Sequence, residues 1–184
     1  MIALWIVLGI VAILILFIVG AYNSLVRLRN QVKNAFAQID VQLKRRHDLI
    51  PNLIETVKGY MVHERETLTK ITEARSNAMN ANTVSEKAQT EGVLSGLMGK
   101  LQVAVEAYPD LKANTNFLAL QEELTSTENK LSFARQSYND QVLNYNNKTQ
   151  VFPSNVIAGM FGFKQGDFFE IADVAEKEVP KVKF

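Results

Sequence analysis

The sequence predicts an all-α protein in which an N-terminal transmembrane helix precedes an antiparallel up-and-down four-helix bundle and a mostly irregular, Phe-rich C-terminal segment. Three observations support this fold class. The first 21 residues carry no ionisable side chain, apolar residues then recur every three or four positions, and six of the ten Phe residues lie after residue 150. We therefore expect a membrane anchor over 1–22, a bundle over 23–150, and a C-terminal segment over 151–184 that packs on or between bundles.

The composition excludes several classes of protein. The 184 residues include 20 Lys and Arg, 19 Asp and Glu, and no Cys. A net charge of +1 argues against a basic nucleic-acid binder, so we expect no nucleic-acid partner. Without Cys the chain has no disulfide, no thiolate zinc site and no thiol nucleophile.

The N-terminal apolar run is long enough to cross a bilayer. As a helix, residues 1–21 span roughly 31 Å, which matches the hydrocarbon core of a membrane. Trp5 and Tyr22 lie where the two membrane interfaces are expected. A cleaved signal peptide would need a basic region before the apolar core, and a buried core helix would not be apolar on all sides. We therefore interpret the run as an uncleaved transmembrane anchor.

Basic residues just after the anchor predict its orientation. Arg27, Arg29 and Lys33 follow the apolar run, and no Lys or Arg precedes it. Under the positive-inside rule, the short N-terminus lies outside and the bundle faces the cytoplasm of a bacterial cell (inner) membrane, as a single-pass protein. We expect these three side chains, with the two aromatic ones, to form the membrane interface.

The first soluble helix is predicted to continue the membrane helix without a joint. No Gly or Pro lies between Tyr22 and Asp48, and one helix face collects the apolar residues. These are Leu25, Leu28, Val32, Phe36, Ile39 and Leu43. Pro51 fits the first turn of a helix whose N-cap is Asp48, which predicts a corner at about that point.

Three further helices complete the predicted bundle. The second runs from about Ile50 to Asn80, and the pattern Thr83 to Glu86 is a capping box that opens the third near Val84. Pro109 ends the third helix. The fourth opens at Asn114 or Asn116 and continues to about residue 150. Short connections between long amphipathic helices favour the up-and-down arrangement.

The C-terminal segment differs in character from the bundle. It is too apolar for a free tail and too rich in Gly and Pro for a long helix. One interpretation is that it covers the seam of the bundle, and the alternative is a subunit-contact or membrane-docking element. Its candidate contact residues are Phe161, Phe163, Phe168 and Phe169, and the segment also contains Phe152 and Phe184.

No motif of a known catalytic or cofactor site is complete. The two histidines are His47 and His63, and neither stands in a zinc-protease or di-iron pattern. The stretch around Gly96 and Gly99 lacks the first Gly and the Ser/Thr of a P-loop. We expect no catalytic residue, no metal, no cofactor and no small-molecule substrate, and therefore no enzyme.

A basic cluster lies farther along the first soluble helix. Lys44, Arg45 and Arg46 are about 30 Å from the anchor along an upright helix, beyond the roughly 8 Å Debye length. They are interpreted either as a solvated helix end or as a contact for an acidic partner or second subunit. These three residues are therefore candidates for a subunit or partner contact.

Three runs of the sequence resemble the LemA family of bacterial membrane proteins. They are YNSLVRLRNQVKNAFAQIDVQLKRRHDLIPNLIETVKGY, HERETLTKITEAR, and VFPSNVIAGMFGF with FFE. The resemblance implies a helical bundle behind one transmembrane helix, with the N-terminus outside, and carries over no catalytic residue. The resemblance also implies two functional directions. One relative is tied to building the magnetosome membrane, and family genes can lie beside the gene for a membrane metalloprotease.

Two functional hypotheses follow. The first is a non-enzymatic, membrane-anchored scaffold that self-assembles and helps to organise or shape the membrane. The second is an adaptor or regulator of a membrane machine such as a quality-control protease. The expected partners are the lipid bilayer, further copies of this chain in a homo-oligomer and, under the second hypothesis, another membrane protein.

Overall fold

A computed structural model describes residues 1–61 and 63–170, and these residues form helices joined by short turns without any strand. This confirms the all-α class and the long apolar N-terminal helix. In chain order the helices are α1 (Ile2–Lys58), α2 (Arg65–Asn80), α3 (Val84–Val105), α4 (Pro109–Lys112), α5 (Thr115–Gln150) and α6 (Ser154–Met160).

The predicted corner near Asp48 is wrong, because α1 runs through Pro51 and ends at Lys58. Proline inside a helix leaves the carbonyl four residues earlier without its usual N–H donor. Here that carbonyl belongs to His47, and Arg75 of α2 donates its Nε–H to it over 2.7 Å. A side chain from a neighbouring helix thus replaces the missing backbone hydrogen bond, so Pro51 does not end the helix.

The predicted capping box at the start of α3 is confirmed. The Thr83 hydroxyl accepts from the Glu86 backbone N–H at 3.1 Å, and the Glu86 carboxylate accepts from the Thr83 and Asn82 N–H groups, each at 3.1 Å. These hydrogen bonds lower the pKa of Glu86 below its ordinary value. The local sequence alone therefore places the start of this helix.

The connection between α3 and α5 contains the one-turn helix α4. Pro109 occupies the first turn of α4, where its missing N–H leaves no hydrogen bond unmade. Of the two predicted caps for the next helix, the structure uses Asn114, whose Oδ1 accepts from the Phe117 N–H at 3.0 Å. The prediction for the start of α5 is confirmed to within a residue.

The chain divides into two compact units. The first, here called the anchor unit, comprises Met1–Ile39 and Ala134–Asp167. The second unit comprises Asp40–Phe133 and the described residues after Asp167. The helices α1 and α5 each contribute to both. This division does not follow the boundaries predicted at residues 22 and 150, and those boundaries stay predictions.

The core of the second unit draws apolar side chains from every helix that enters it. Its buried members are Ile50, Leu53, Ile54, Val57, Met61, Leu68, Ile71, Ala74, Ala78, Leu94, Leu101, Val105, Leu111 and Phe117. Almost all of them are positions that helical periodicity assigns to a buried face. Burying each large side chain stabilises this unit by about 1.5 to 3 kcal/mol relative to exposure.

The anchor unit has a smaller core in which α6 returns to α1. Ile157 and Ala158 of α6 pack with Ala21, Leu25 and Tyr145. At the end of α6, Gly162 adopts a φ of 69°, a conformation that favours glycine. The Phe163 N–H then donates to the Ala158 carbonyl at 2.9 Å, which reverses the chain.

The residues after this reversal are held along α5 by polar contacts. The Asn146 side chain accepts from the Gly166 N–H at 2.8 Å and donates to the Gly166 carbonyl at 2.9 Å. The Tyr138 hydroxyl donates to the Asp167 carbonyl at 2.8 Å, and burial raises the pKa of Tyr138. The predictions for residues 171–184, including Phe184, lie outside the described residues.

Candidate functional site

The apolar run at the start of α1 exposes its side chains on every side. Residues 2–17 are all exposed, and Trp5 is 72% exposed among them. This stretch is long and apolar enough to cross a membrane, and none of its most apolar window is buried inside the structure. An exposed apolar surface of this extent marks a membrane or protein contact. The chain therefore has one N-terminal helix suited to anchoring it in a membrane.

Predicted interface and contact residues meet where this run ends. The Tyr22 ring lies 4.9 Å from the Phe161 ring and 5.6 Å from the Phe163 ring, both in edge-on geometry. The Arg29 guanidinium carbon is 5.2 Å from the centre of the Phe163 ring, within cation–π range. Arg27 is exposed in the same unit, as is Lys33. The structure thus brings predicted membrane-interface residues, Tyr22 and Arg29, into contact with predicted subunit-contact residues of the Phe-rich segment.

The predicted basic cluster does not form one surface. Lys44 is exposed and pairs with Asp48 at 2.9 Å, which lowers the pKa of that carboxyl. Arg45 is half-exposed and pairs with Glu123. Arg46 is only 5% exposed, so its assignment as a subunit or partner contact is corrected. Its position on α1 faces the core of the second unit, one turn before Ile50.

Arg46 instead belongs to an ion cluster formed by Arg46, His47, Glu91, Ser95 and Glu128, in which Arg46, His47 and Glu91 are buried and Glu128 is partly exposed. Its Nη1 lies 3.0 Å from Glu91 Oε2 and 3.4 Å from Glu128 Oε2, and its Nη2 donates to Ser95 Oγ at 2.9 Å. His47 Nε2 lies 2.6 Å from the other Glu91 oxygen. Both oxygens of the fully buried Glu91 therefore have a partner. A buried carboxylate needs such partners, because an uncompensated charge is costly to bury.

Sequence analysis missed Glu91. It lies three residues after Ala88 and three before Leu94, both buried, so it occupies a position on the apolar face of α3. An acidic residue on an apolar stripe is the signal that could have found it.

A cavity of about 300 Å³ adjoins the ion cluster in the second unit. Its polar lining residues are Arg46, Ser95, Gln102, Gln121, Thr125 and Glu128, and its apolar lining includes Met98 and Phe117. Within residues 1–61 and 63–170, no group of three or more His, Cys, Asp and Glu is arranged to hold a metal ion. The cavity has the size and mixed lining of a small-molecule pocket, and two of its polar lining residues, Arg46 and Glu128, are engaged in internal ion pairs.

The two last candidate Phe residues differ in exposure. Phe168 is 38% exposed, whereas Phe169 is 3% exposed. Phe169 is therefore a core residue rather than a contact residue, which corrects its assignment. Phe161 is 52% exposed and keeps an open ring face.

Comparison with known proteins decides the family. The profile of the LemA family matches residues 35–184, which include the ion cluster and the Phe-rich segment. The chain belongs to the LemA family. This confirms the resemblance inferred from the three sequence runs.

Among its relatives is Protein LemA of Metamycoplasma hominis, 28% identical over 165 residues, which cover 89% of this chain and 73% of the relative. Magnetosome protein MamQ 2 of Paramagnetospirillum magneticum is 20% identical over 175 residues, covering 81% of this chain and 64% of the relative. MamQ of Magnetospirillum gryphiswaldense is 20% identical over 174 residues, with 80% and 64% covered. The chain therefore spans less than two thirds of these magnetosome relatives. The names of these relatives describe no catalysed reaction.

Proposed function

We propose that this LemA-family chain is a non-enzymatic, membrane-anchored scaffold that self-assembles and helps to organise or shape the bacterial membrane. The observation that carries the proposal is the continuity of α1. One 57-residue helix contains the exposed apolar run, contributes Ala21 and Leu25 to the core of the anchor unit, and contributes Ile50 to Val57 to that of the second unit. The membrane segment and the folded part are thus connected by continuous helix.

Similarity to other proteins supports the membrane side of the proposal. Two of the reported relatives are named magnetosome proteins, which supports an association with membrane. We place this chain in the bacterial inner membrane as a single-pass protein, with its short N-terminus outside and its folded part in the cytoplasm. The folded part in this proposal is the predicted four-helix bundle, which the shared core of the second unit supports.

Charge and exposed apolar residues support self-assembly. The anchor unit has six Lys and Arg against two Asp, a net charge of +4, so the remainder of the sequence has a net charge of −3. A basic surface on one copy attracts an acidic surface on the next, and such head-to-tail contacts build rings or arrays. Val103 and Phe133 of the second unit are 74% and 72% exposed, and they offer apolar area for the same contact.

The proposal is tested with the full-length protein reconstituted in phospholipid vesicles and imaged by electron cryomicroscopy. We expect ordered assemblies on deformed membrane, and large oligomers in mild detergent. A Phe133→Ser, Val103→Ser double variant should reduce assembly without unfolding, because both side chains are exposed. The matched control is Val41→Ser, which changes a similarly exposed residue of α1.

A monodisperse monomer on undeformed membrane would overturn the scaffold proposal. A monomer or small oligomer that retains one membrane protease through purification would favour the adaptor hypothesis instead. Equal loss of assembly in the double variant and in the control would show that Val103 and Phe133 form no specific contact.

A further inference from the structure

A groove of about 540 Å³ lies in the anchor unit beside the point where α1 leaves its apolar run. One wall is the α1 face that carries Phe17 and Leu28, and the other is the end of α5 with Asn147 and Lys148. Val151 and Phe152, in the turn before α6, also line it. The groove therefore extends from the apolar run of α1 to its first polar turns.

The turn and α6 also carry an apolar rim that no described residue covers. The rim consists of Val151, Phe152, Val156, Met160 and Phe161, which are 59%, 78%, 51%, 69% and 52% exposed. The opposite face of α6 is buried through Ile157 and Ala158. The short helix is therefore apolar on two sides, although one side would suffice to hold it in the unit. The second, exposed apolar face is therefore expected to contact another apolar environment.

The position of the rim along α1 identifies that surrounding. Phe17, which lines the groove, belongs to the exposed apolar run, while Ser24 on the same face lies beyond its end. The rim residue Phe161 contacts Tyr22, between these two levels. Aromatic and amphipathic residues favour this depth, where hydrocarbon gives way to headgroups. The rim is therefore continuous with the membrane-spanning surface.

The charge around the groove is basic. Lys148 is the charged residue among the described lining residues, and Asn144, Asn147 and Ser24 supply further polar groups. Arg27 follows Ser24 by three positions and lies on the neighbouring part of the same face. Basic residues at this depth attract anionic headgroups.

We propose that the apolar rim docks into the membrane interface and that the groove holds an anionic phospholipid, its phosphate at Lys148 and its upper acyl chain against Phe17. This inference rests on the membrane anchoring within the proposed function and not on self-assembly. The docked rim adds a second contact to the membrane beside α1. It fixes the tilt of the anchor unit on the bilayer surface.

Docking of the rim is tested with single nitroxide labels, since the chain has no natural Cys. The full-length Phe152→Cys variant is labelled in vesicles of phosphatidylcholine with phosphatidylglycerol, and accessibility to oxygen and to a nickel chelate gives the label depth. We expect a label protected from the nickel chelate. The control is Gln136→Cys, an exposed position of α5 in the same unit about 18 Å along the helix from Lys148. Equal nickel accessibility at both positions would overturn the docking, and Met160→Cys repeats the test if the first variant does not fold.

Occupancy of the groove is tested with spin-labelled lipids in the same vesicles. We expect the protein to immobilise labelled phosphatidylglycerol in preference to labelled phosphatidylcholine. Lys148→Gln should abolish this preference, whereas Lys164→Gln, an exposed lysine of the same unit outside the groove, should leave it unchanged. An unchanged preference in Lys148→Gln, or the same loss in both variants, would overturn the lipid site. Oligomer size in detergent is measured in parallel, so that loss of the lipid preference with intact assembly separates this inference from the scaffold proposal.

Discussion

At the residue scale, Glu91 is the buried group that most needs polar partners. Its side chain is fully buried, and its two oxygens lie 3.0 Å from Arg46 and 2.6 Å from His47. An apolar side chain at this position would avoid the cost of burying a carboxylate. The pairing instead links α1 and α3 in one register, because neither helix can slide without separating the charges.

Removing one member of this cluster should therefore be much more damaging than removing an exposed ion pair. Glu91→Ala leaves the buried Arg46 charge without its main partner, and we expect the free energy of unfolding to fall by about 3 to 5 kcal/mol. The control Glu123→Ala breaks the half-exposed pair with Arg45 and should cost at most about 1 kcal/mol. Urea titration of the full-length protein in detergent measures both. Equal losses would show that the cluster does not stabilise the second unit.

At the element scale, α1 depends on a neighbour for one of its own hydrogen bonds. Pro51 takes a donor away from the helix, and Arg75 supplies one from α2 at the His47 carbonyl. His47 therefore joins the ion cluster through its imidazole ring and accepts a hydrogen bond from Arg75 of α2 through its backbone carbonyl. The continuity of α1 at Pro51 therefore depends on a contact with another helix.

A double-mutant cycle isolates this contact. Arg75→Ala should destabilise the protein by about 1 to 3 kcal/mol, because a carbonyl in the helix interior loses its donor. In a Pro51→Ala background the backbone N–H returns, so the same substitution should cost about 1 kcal/mol less. Lys70→Ala, at an exposed position of α2, serves as the control. Identical costs of Arg75→Ala in both backgrounds would contradict the assigned role.

At the scale of the whole molecule, the asymmetry of charge determines the expected topology. The first 39 residues contain Arg27, Arg29 and Lys33 and no acidic residue, and the rest of the anchor unit adds further basic side chains. Positive charge on one side of a single span keeps that side in the cytoplasm. In the proposed orientation, the basic unit lies next to the membrane leaflet whose anionic lipids attract it.

Protease added to intact cells should therefore spare residues 48–184. Digestion of inverted membrane vesicles should release fragments of the same region, since that face is then exposed. Immunoblotting against a C-terminal tag distinguishes the two preparations. Cleavage in intact cells, with a periplasmic marker and a cytoplasmic marker as controls, would reverse the orientation.

Local patterns predicted much of this architecture because their information lies within a few residues. The capping box at Thr83, the cap at Asn114 and the periodic apolar face of α2 all depend on neighbours within one or two turns. Pro51 led to a wrong prediction of a corner, because Arg75 of α2 replaces the hydrogen bond that proline removes from the helix. Phe169 was also misassigned, because a Phe outside any periodic pattern gives no sign of which side is buried.

The sequence by itself determined the all-α class, the membrane-spanning run, the family and most buried positions, because composition and helical periodicity specify these without reference to distant residues. Only the tertiary structure decided that Arg46 and His47 meet Glu91, 45 and 44 positions away, and that the turn before α6 lies beside the end of the apolar run. Ion pairs and grooves of this kind join residues from separate helices. Their partners depend on how the helices pack, and no local pattern of residues records that packing.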